Sequence, residues 1–470
     1  MLTPSGFLTL DSMNYLALAS NLGRGLGFQI AKDGYAPAML GYFAEWPVGY
    51  PLVIHLVAGA VGTTPFMASK LLAMVLATAT AALIAAVSGR HGGVCALPLS
   101  FASYLDIFSR TWSEGQFIFL LVAAAVLLAG LIDGRKRPGI VRSLALAACC
   151  LALFLTRYVG AFSLSLLALA MASSLARREV RLAAWQGLLL LGVAGLIILY
   201  LHHNTVLTGY ATGMPRLPPG DSVAERLAML LGAIWSELIL PLATFAPQSR
   251  AAWLVAGGEA LGLAWVVRAI VRSHPRPFVH LRGDAQALAF AAVGALYLAA
   301  IILLRWRNQF DPYNYRLLGP GTLLLMLAGL RVALMNWPGA ARAMTLFIAA
   351  MAATSVALAV FALPRPGAAG YLATVGSIER RYASIPSGAI VVFGDDQLRY
   401  LRPDLFVAVP LCRPWFNLDE SWPDFLDEVD WSHPIYIDMS GNALDSAGCQ
   451  KSVRAFLAGH HRGELFRLYR

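Results

Sequence analysis

Carboxylates and arginines stand beside long apolar runs at a few points of this chain. The acids are Asp11, Asp33, Glu45 and Glu114, and the arginines are Arg157, Arg305, Arg307 and Arg316. A carboxylate can take a proton from an acceptor hydroxyl, and a guanidinium can donate paired hydrogen bonds to a phosphate leaving group. Together these residue types predict a site that could transfer a group from a phosphate-linked donor.

Each of the acids also has a structural alternative. Asp11 and Glu114 both stand where an apolar helical pattern begins, and either could simply cap that helix. Asp33 and Glu45 could be solvated loop charges. For Asp11 we favour catalysis, whereas for Glu114 a cap and a site role both stay open.

The arginines differ in how strongly they indicate a site. Arg157 interrupts an apolar stretch, and a guanidinium is costly to bury without an anionic partner, which favours a functional role. Arg305 and Arg307 could extend to a membrane surface instead of binding phosphate. Arg316 follows Asp311 in sequence, and either a salt bridge or a lipid phosphate would satisfy it.

The composition is that of a polytopic membrane protein. Of the 470 residues, 58% are hydrophobic and 13% are charged, and the mean hydropathy is +0.64. The net charge of +10 could suggest nucleic acid, but the basic residues lie mostly in short loops, where membrane orientation explains them, so we exclude that partner. The five cysteines show no zinc spacing, so no structural metal is indicated, and we expect Cys412 and Cys449 to form a disulfide.

Apolar segments of spanning length recur along the first 363 residues. They cover 67–88, 92–109, 115–132, 182–202, 251–270, 286–304, 316–334 and 341–362. The stretch 143–175 is too long for one helix and contains Arg157, so it predicts two short helices that meet at the membrane surface. The total is about ten crossings.

Loop charges predict the orientation. The basic loops near 89–91, 133–142, 176–181 and 268–283 should face the cytoplasm. Because successive spans cross the membrane in alternate directions, the remaining segments should lie on the extracytoplasmic side. They are 1–66, 203–250, the loops that hold Glu114, Arg157 and Arg316, and the C-terminus. Residues 228–246 are apolar, yet counting them as a crossing would break this pattern, so they predict a re-entrant or interfacial helix.

Both ends of the chain predict mixed structure. A short amphipathic helix should start at or just after Asp11, lie along a surface and end near Gly23. After residue 363, the strands 389–393, 405–409 and 435–437 alternate with the helical runs 371–382, 422–429 and 451–457. The predicted fold is therefore an all-α polytopic membrane domain, 1–363, followed by a small soluble α/β domain, 364–470, on the extracytoplasmic side.

Several short motifs, in this order, resemble the GT-C superfamily of polytopic glycosyltransferases, and they cover most of the chain. They are Asp11-Ser12-Met13-Asn14-Tyr15, Gly25-x-Gly27, Trp46-Pro47-x-Gly49-Tyr50-Pro51, Ser113-Glu114, Leu155-Thr156-Arg157-Tyr158, Asn314-Tyr315-Arg316-Leu317-Leu318-Gly319-Pro320 and Ile385-Pro386-Ser387-Gly388-Ala389. The bacterial relatives of aminoarabinose transferases and protein O-mannosyltransferases are the most similar branch. The resemblance implies the GT-C fold and a transmembrane helix before Asp11, for which the ten preceding residues are too few.

The resemblance also implies a reaction. A membrane enzyme of the bacterial inner (plasma) membrane would take a sugar from a polyprenyl-phosphate carrier and deliver it, with inversion, to a glycan, lipid or protein acceptor on the extracytoplasmic face. The predicted catalytic residues are Asp11, as base, and Glu114. The predicted substrate-binding residues are Tyr15, Asp33, Glu45, Arg157, Tyr158, Arg305, Arg307, Tyr315 and Arg316.

The role of a metal and the class of function each keep an alternative. The superfamily often has two adjacent acids where this chain has Leu10-Asp11-Ser12, so a divalent cation is left open and no other cofactor is expected. A flippase for lipid-linked saccharides would place charges and broken helices near mid-membrane, whereas the charges here cluster at one surface. An O-antigen polymerase or ligase would usually lack an acidic first loop.

Overall fold

The structure is a computed structural model that describes residues 8–31, 40–133, 139–216, 218–238, 250–273, 284–310, 312–362, 367–395, 397–408, 432–438, 451 and 465–468. The chain forms two compact units. We call Ala44–Tyr50 with Lys70–Leu363 the helical unit, and Met1–Phe43, Pro51–Ser69 and Pro364–Arg470 the mixed unit. One boundary follows residue 363, as in the predicted division into 1–363 and 364–470, which otherwise stays a prediction.

Helices make up most of the described residues up to Ala362. In chain order they are α1 Leu10–Gly23, α2 Gly49–Val61, α3 Pro65–Ser88, α4 Gly92–Ala96, α5 Ala102–Ser109, α6 Ser113–Ile132, α7 Ile140–Thr156, α8 Leu164–Ala176, α9 Val180–Thr208, α10 Val223–Leu238, α11 Arg250–Arg272, α12 Ala285–Arg307, α13 Tyr315–Asn336 and α14 Ala341–Ala362. Among the described residues, eight helical segments are long and apolar enough to cross a membrane. The polytopic helical fold is thereby confirmed, and the count of ten crossings is not.

The predicted span 92–109 is wrong. The chain forms 3₁₀ turns at Gly89–His91 and Leu97–Ser100, with the short helices α4 and α5 beside them. Gly89 adopts the left-handed region, with φ of +57°, and a Cβ on Gly92 would lie only 2.4 Å from the carbonyl oxygen of Ala85. The backbone therefore folds back tightly onto α3, which only glycine permits at these two positions.

The predicted break at Arg157 is confirmed. α7 ends at Thr156, Arg157 is extended, and a 3₁₀ turn over Tyr158–Ser163 leads into α8. A Cβ on Gly160 would lie 2.3 Å from the backbone of Leu153, so the turn packs directly on the preceding helix. The result is a charged, irregular turn between two apolar helices.

The segment predicted as re-entrant or interfacial, 228–246, is described only in part. α10 begins after Ser222, whose backbone N–H donates to Glu225 at 2.7 Å while the Glu225 N–H donates to the Ser222 hydroxyl at 3.2 Å. This helix is not among the eight candidate spans of the described chain. Its position relative to the membrane stays a prediction.

The mixed unit contains a small parallel sheet. Its strands β3 Ile390–Val392, β4 Phe406–Ala408, β5 Ile435–Asp438 and β6 Leu465–Leu468 lie in the order β4–β3–β5–β6, and all neighbours are parallel. The helices α15 Gly367–Arg381 and α16 Leu398–Leu401 belong to the same unit. The predicted strands and the helix 371–382 are confirmed, and β6 and α16 were not predicted. The run 422–429 lies outside the described residues, as do all of 451–457 except Lys451.

The N-terminal helix differs from the prediction in its burial. α1 spans Leu10–Gly23 as expected, but nine of its residues are buried, including Tyr15 and Leu16, so it is not a surface helix. It packs on α16 and on β1 Gln29–Ala31, which pairs with β2 Leu40–Tyr42 as an antiparallel hairpin. The three- and four-residue spacing that predicted one apolar face missed that polar Ser12 and Asn14 are buried too.

The cysteine prediction is tested only in part. Cys95, Cys149 and Cys150 are free, buried thiols, as predicted for the apolar segments. Cys412 and Cys449 lie outside the described residues, so their disulfide stays a prediction.

Candidate functional site

A buried carboxylate bound by two arginines forms the centre of the candidate site. Glu114 lies in the first turn of α6, and its side chain is 0% exposed. Its Oε1 atom contacts the guanidiniums of both Arg157 and Arg316, whose side chains are 19% and 16% exposed. One carboxylate therefore orients two guanidiniums, and the three side chains together carry a net charge of +1.

Three separate elements deliver these side chains. Glu114 does not cap α6, because Trp112 occupies the N-cap position. Arg157 sits on the extended residue that separates α7 from the following turn. Arg316 lies in the first turn of α13, where the Asn314 side chain caps the helix by accepting a hydrogen bond from the Leu317 N–H at 3.1 Å. All three predicted charges meet at helix ends, where the backbone leaves the apolar region.

Trp112 joins this centre to further charges. The guanidinium carbon of Arg316 lies 4.5 Å from the centre of its ring, and that of Arg110 lies 4.8 Å from it. Arg110 forms an ion pair with Asp106 at 2.9 Å, and the Tyr315 hydroxyl donates to the same carboxylate at 2.5 Å. An aromatic ring thus sits between two guanidiniums, each paired with its own carboxylate.

A lysine lies at the edge of the same network. Lys70 Nζ donates to the carbonyl oxygen of Ser109 at 2.8 Å, one residue before Arg110. We call the side chains of Lys70, Asp106, Arg110, Glu114, Arg157 and Arg316 the charged cluster. It consists of three arginines, one lysine and two carboxylates. Guanidiniums that are partly shielded from water can donate paired hydrogen bonds to an anion.

Lys70, Asp106 and Arg110 were not predicted as site residues. Asp106 lay inside the segment predicted as a span, and Lys70 stood near the start of another. A charged side chain inside a predicted span is itself a signal of function or of an ion pair, and applying that rule would have found both residues.

Tyr158 has a structural contact that links the Arg157 turn to the start of the helical unit. Its hydroxyl donates to the Ala44 carbonyl oxygen at 2.6 Å and accepts from Asn204 at 2.9 Å. Glu45, the next residue, is partly buried. A predicted binding residue, Glu45, therefore lies beside the segment that the Arg157 turn holds in place.

Arg305 and Arg307, at the end of α12, have different surroundings. Arg305 is 3% exposed and pairs with Asp221 at 2.5 Å, so it does not extend to a membrane surface. Its guanidinium carbon also lies 5.8 Å from the ring of Phe310. Arg307 is exposed. The structure places Arg305 in an ion pair of its own, and the binding roles predicted for both arginines stay predictions.

The predicted residues of the mixed unit have different surroundings. Asp11 is partly exposed in the first turn of α1 and is not its cap, because the Thr9 hydroxyl accepts from the Ser12 N–H at 3.4 Å. Tyr15 is 1% exposed and its ring meets that of Phe43 edge to face at 6.4 Å, a packing contact. Asp33 lies outside the described residues.

The described residues show whether side chains that commonly bind metal ions lie together. Within those residues there is no group of three or more histidine, cysteine, aspartate or glutamate side chains that could hold an ion. The divalent cation that the sequence leaves open therefore has no candidate ligand set in this part of the chain.

Comparison with known proteins returns solved structures only. No protein-family model and no curated protein matches the chain. The chain is similar to ArnT from Cupriavidus metallidurans in the apo state, with 14% identity and a TM-score of 0.43 over 95% of this chain and 85% of that chain. It is also similar to ArnT from the same organism bound to undecaprenyl phosphate, with 14% identity and a TM-score of 0.42 over 93% and 82%.

ArnT is a GT-C glycosyltransferase, the class that the sequence motifs resemble. At this identity and TM-score the likeness assigns no role to any residue. The roles proposed for individual side chains therefore rest on the contacts of this chain.

Proposed function

We propose that the protein is a membrane glycosyltransferase that moves a sugar from a polyprenyl-phosphate carrier to an acceptor on the extracytoplasmic face. The observation that carries the proposal is the sharing of the buried Glu114 carboxylate by Arg157 and Arg316. This arrangement holds two guanidiniums in fixed orientations at helix ends, where the phosphate of a membrane lipid would lie.

The charge of the cluster suits the leaving group. When the bond from the sugar to the phosphate breaks, a phosphodiester with one negative charge becomes a phosphomonoester that carries up to two. The arginines of the charged cluster can stabilise this developing negative charge. Arginine can also donate two parallel hydrogen bonds to phosphate oxygens, which a lysine cannot.

The contacts of Glu114 favour a positioning role. A fully buried carboxylate that two guanidiniums already contact is poorly placed to take a proton from an acceptor hydroxyl. We therefore assign Glu114 to orienting Arg157 and Arg316. Asp11 keeps the role of general base that the family resemblance implies, and a single displacement at the anomeric carbon would invert it.

The donor and acceptor follow from this proposal only as chemical classes. Undecaprenyl phosphate, which one of the similar ArnT structures contains, is a polyprenyl phosphate of the class that we propose for this chain. The transferred sugar would be a hexosyl or pentosyl group, and the acceptor a hydroxyl of a glycan, a lipid or a protein.

The arrangement of helices supports a division of the loops between two membrane surfaces. Asp221 pairs with Arg305 at the end of α12, and α13 starts eight residues after α12 ends, so Asp221 shares a surface with Arg316. Ser273 lies beside Gly339, which follows the far end of α13. We propose that the first surface is extracytoplasmic, because the loops of the second are rich in arginine.

Cysteine labelling tests this orientation. We expect Ser222→Cys, in a background without the native cysteines, to react with an impermeant thiol reagent on intact, outer-permeabilised cells. Ser273→Cys should react only after lysis. Equal labelling of the two variants on intact cells would reject the proposed orientation.

The reaction is tested by mass spectrometry of surface glycans and lipid-linked sugars from cells with and without the protein. Loss of one sugar from a glycan, together with accumulation of its polyprenyl-phosphate donor, would support the proposal. Cells that produce Asp11→Asn should reproduce this loss at unchanged protein level and melting temperature. Accumulation of the donor on the cytoplasmic face, with no transfer defect once the donor is supplied outside, would instead indicate a flippase.

A further inference from the structure

A cavity of about 600 Å³ lies between the C-terminal half of α11 and the loop that joins α13 to α14. Its lining residues are Trp265, Arg268, Ala269, Arg272, Ser273 and Gly339. The first four recur at intervals of three, four and seven residues along α11, so they share one helix face. Two arginines one turn apart thus point toward the same cavity wall.

This cavity lies at the membrane surface opposite the charged cluster. Arg316, which contacts Glu114, stands at the start of α13, whereas Gly339 follows its end at Asn336. A helix of 22 residues is about 33 Å long, which matches the thickness of a bilayer hydrocarbon core. The cavity is therefore separate from the proposed donor site.

The walls of the cavity are held by close packing. A Cβ on Gly339 would lie 2.9 Å from the Cβ of Ser273, so the loop touches the end of α11. Further along α11, a Cβ on Gly262 would lie 2.5 Å from the ring of Phe347 on α14. Two glycine contacts thus fix α11 against α14 and its preceding loop, and the cavity is a built feature of the helical unit.

The charges that line the cavity select for an anion. Arg268 and Arg272 are both exposed, and the described lining residues include no carboxylate. Trp265 is 47% exposed at the same level, where an indole ring suits the interface between headgroups and acyl chains. The cavity therefore offers two guanidiniums and an interfacial aromatic ring to one ligand.

The surroundings of α11 select for a ligand with acyl chains. Only 6% of the residues in its apolar segment are buried, the smallest share among the eight candidate spans of the described chain. Apolar side chains such as Leu254, Leu261 and Val271 are 77%, 74% and 75% exposed. Lipid chains would thus cover most of this helix, beside the cavity and its arginines.

We propose that this cavity binds the headgroup of an anionic phospholipid, with Arg268 and Arg272 donating to its phosphate and the acyl chains lying along α11. The site is independent of the glycosyl transfer proposed above. Basic pockets between transmembrane helices are known to hold such headgroups. Arginines that merely extend into solvent at the interface would bind no lipid class selectively.

Native mass spectrometry of the full chain in detergent tests the proposal. The purified protein is titrated with dioleoylphosphatidylglycerol or with the zwitterionic dioleoylphosphatidylcholine, and the bound lipids are counted. We expect selective retention of at least one phosphatidylglycerol, and a loss of about tenfold or more in its apparent affinity in Arg268→Gln/Arg272→Gln. Equal retention of both lipids, or unchanged retention by the double variant, would overturn the proposal.

Control variants separate the site from general surface charge and from misfolding. Arg181→Gln changes an exposed arginine at the start of α9, at the same membrane surface, and should leave the selective binding intact. Arg268→Lys/Arg272→Lys keeps both charges and should retain phosphatidylglycerol better than the glutamine variant does. If soluble sn-glycerol 3-phosphate bound as tightly as the lipid, the site would be one for free phosphate esters and the lipid assignment would be wrong.

Discussion

Glu114 in the helical unit and Asp438 in the mixed unit are both buried carboxylates that arginine contacts. Glu114, at the start of α6, contacts Arg157 and Arg316 through one of its oxygens. Asp438, at the end of β5, is also buried, and its two oxygens contact Arg381 and the hydroxyl of Tyr382. Both buried carboxylates are thus stabilised by arginine, but Glu114 has two arginine partners, whereas Asp438 has one arginine and one tyrosine.

The difference lies in the balance of charge. Burial, together with the hydrogen bond to Asp438, raises the pKa of Tyr382 above its usual range, so the phenol stays a neutral donor. One arginine then neutralises one aspartate, and the group carries no net charge. Around Glu114 the second partner is another guanidinium, which leaves a net charge of +1. The two guanidiniums on Glu114 are residue types that can also donate to a phosphate.

The largest effect should follow from Glu114→Gln. The variant keeps the side-chain volume but leaves two guanidiniums without their shared carboxylate, a change that typically costs about 3–5 kcal/mol of unfolding free energy. Transfer should fall by about 10²-fold or more, because neither arginine keeps its orientation. Thermal unfolding and turnover of the purified protein measure the two losses.

Asp438 provides the matched control for Glu114, because it too is a buried carboxylate that arginine contacts. Asp438→Asn should lower stability and leave transfer per folded molecule unchanged. If Glu114→Gln behaved in the same way, with normal turnover, the carboxylate would serve folding alone.

Next in size is the effect of Arg157→Lys, which keeps the charge but removes the paired hydrogen bonds. We expect the affinity for undecaprenyl phosphate to fall by about tenfold and turnover by about 10²-fold, with larger losses in Arg157→Ala. Binding is measured by titration of the purified variants with undecaprenyl phosphate, beside their melting temperatures.

Arg177→Lys is the matched control for Arg157→Lys. Arg177 follows α8 and donates to the carbonyl oxygen of Leu131 at 2.7 Å, so it is a structural arginine at a helix end. Its variant should lose melting temperature without losing affinity. Unchanged affinity in Arg157→Ala would reject phosphate binding by Arg157.

Much of the helical fold could be predicted because apolar length alone decides it. The runs that became α6, α9 and α12 are long and apolar, and polar or charged residues bound them. The fold-back at Gly89 and Gly92 could not be predicted in the same way, because it depends on contact with Ala85 and not on hydropathy. The spacing of apolar residues along a helix does not predict its buried face where contacts with other elements bury polar residues as well. This is the case for α1.

The candidate site was predictable in its parts and not in its geometry. Glu114, Arg157 and Arg316 each stood out as a charge beside an apolar run, and each lies at a helix end. Arg157 and Arg316 share one oxygen of Glu114 because of the way α6, α7 and α13 pack together. The spacing of residues in the sequence does not predict this packing. Lys70 and Asp106 were missed because both lie inside predicted spans. A mean hydropathy over a whole span changes little when the span contains one charged residue.

A smaller effect should follow from Asp438→Asn in the mixed unit. The carboxylate accepts hydrogen bonds from a partly exposed arginine and from Tyr382, and losing its charge should cost about 1.5–3 kcal/mol. Hydrogen exchange should report this as faster opening of β3 and β5, with no change in α6 or α13. Protection that stayed at wild-type level in both strands would show that the Asp438 group adds nothing to the stability of the sheet.

The smallest effect concerns an ion pair near the surface of the mixed unit. Asp404 accepts from Arg402 at 2.9 Å and 2.7 Å and from the Ser387 hydroxyl at 2.7 Å. The hydrogen bonds from Arg402, which outweigh the opposing effect of burial, lower the pKa of Asp404 from 3.8 to about 2. A carboxyl with a lowered pKa in the folded state stabilises the fold above its unfolded pKa, and this stabilisation is lost as the pH falls through about 2.

Asp404→Asn should therefore weaken the sheet only where the carboxylate is charged. At pH 7 we expect a loss of about 1–2 kcal/mol, reduced from the full value because the pair is partly exposed. The difference between the wild type and the variant should shrink below pH 4 and nearly vanish at pH 2. Hydrogen exchange of residues 390–408, corrected for the intrinsic rate at each pH, measures it, and Ser387→Ala provides a control that removes one hydrogen bond while keeping the charge. A difference that persisted unchanged at pH 2 would show that the side chain stabilises the sheet by packing and not by its charge.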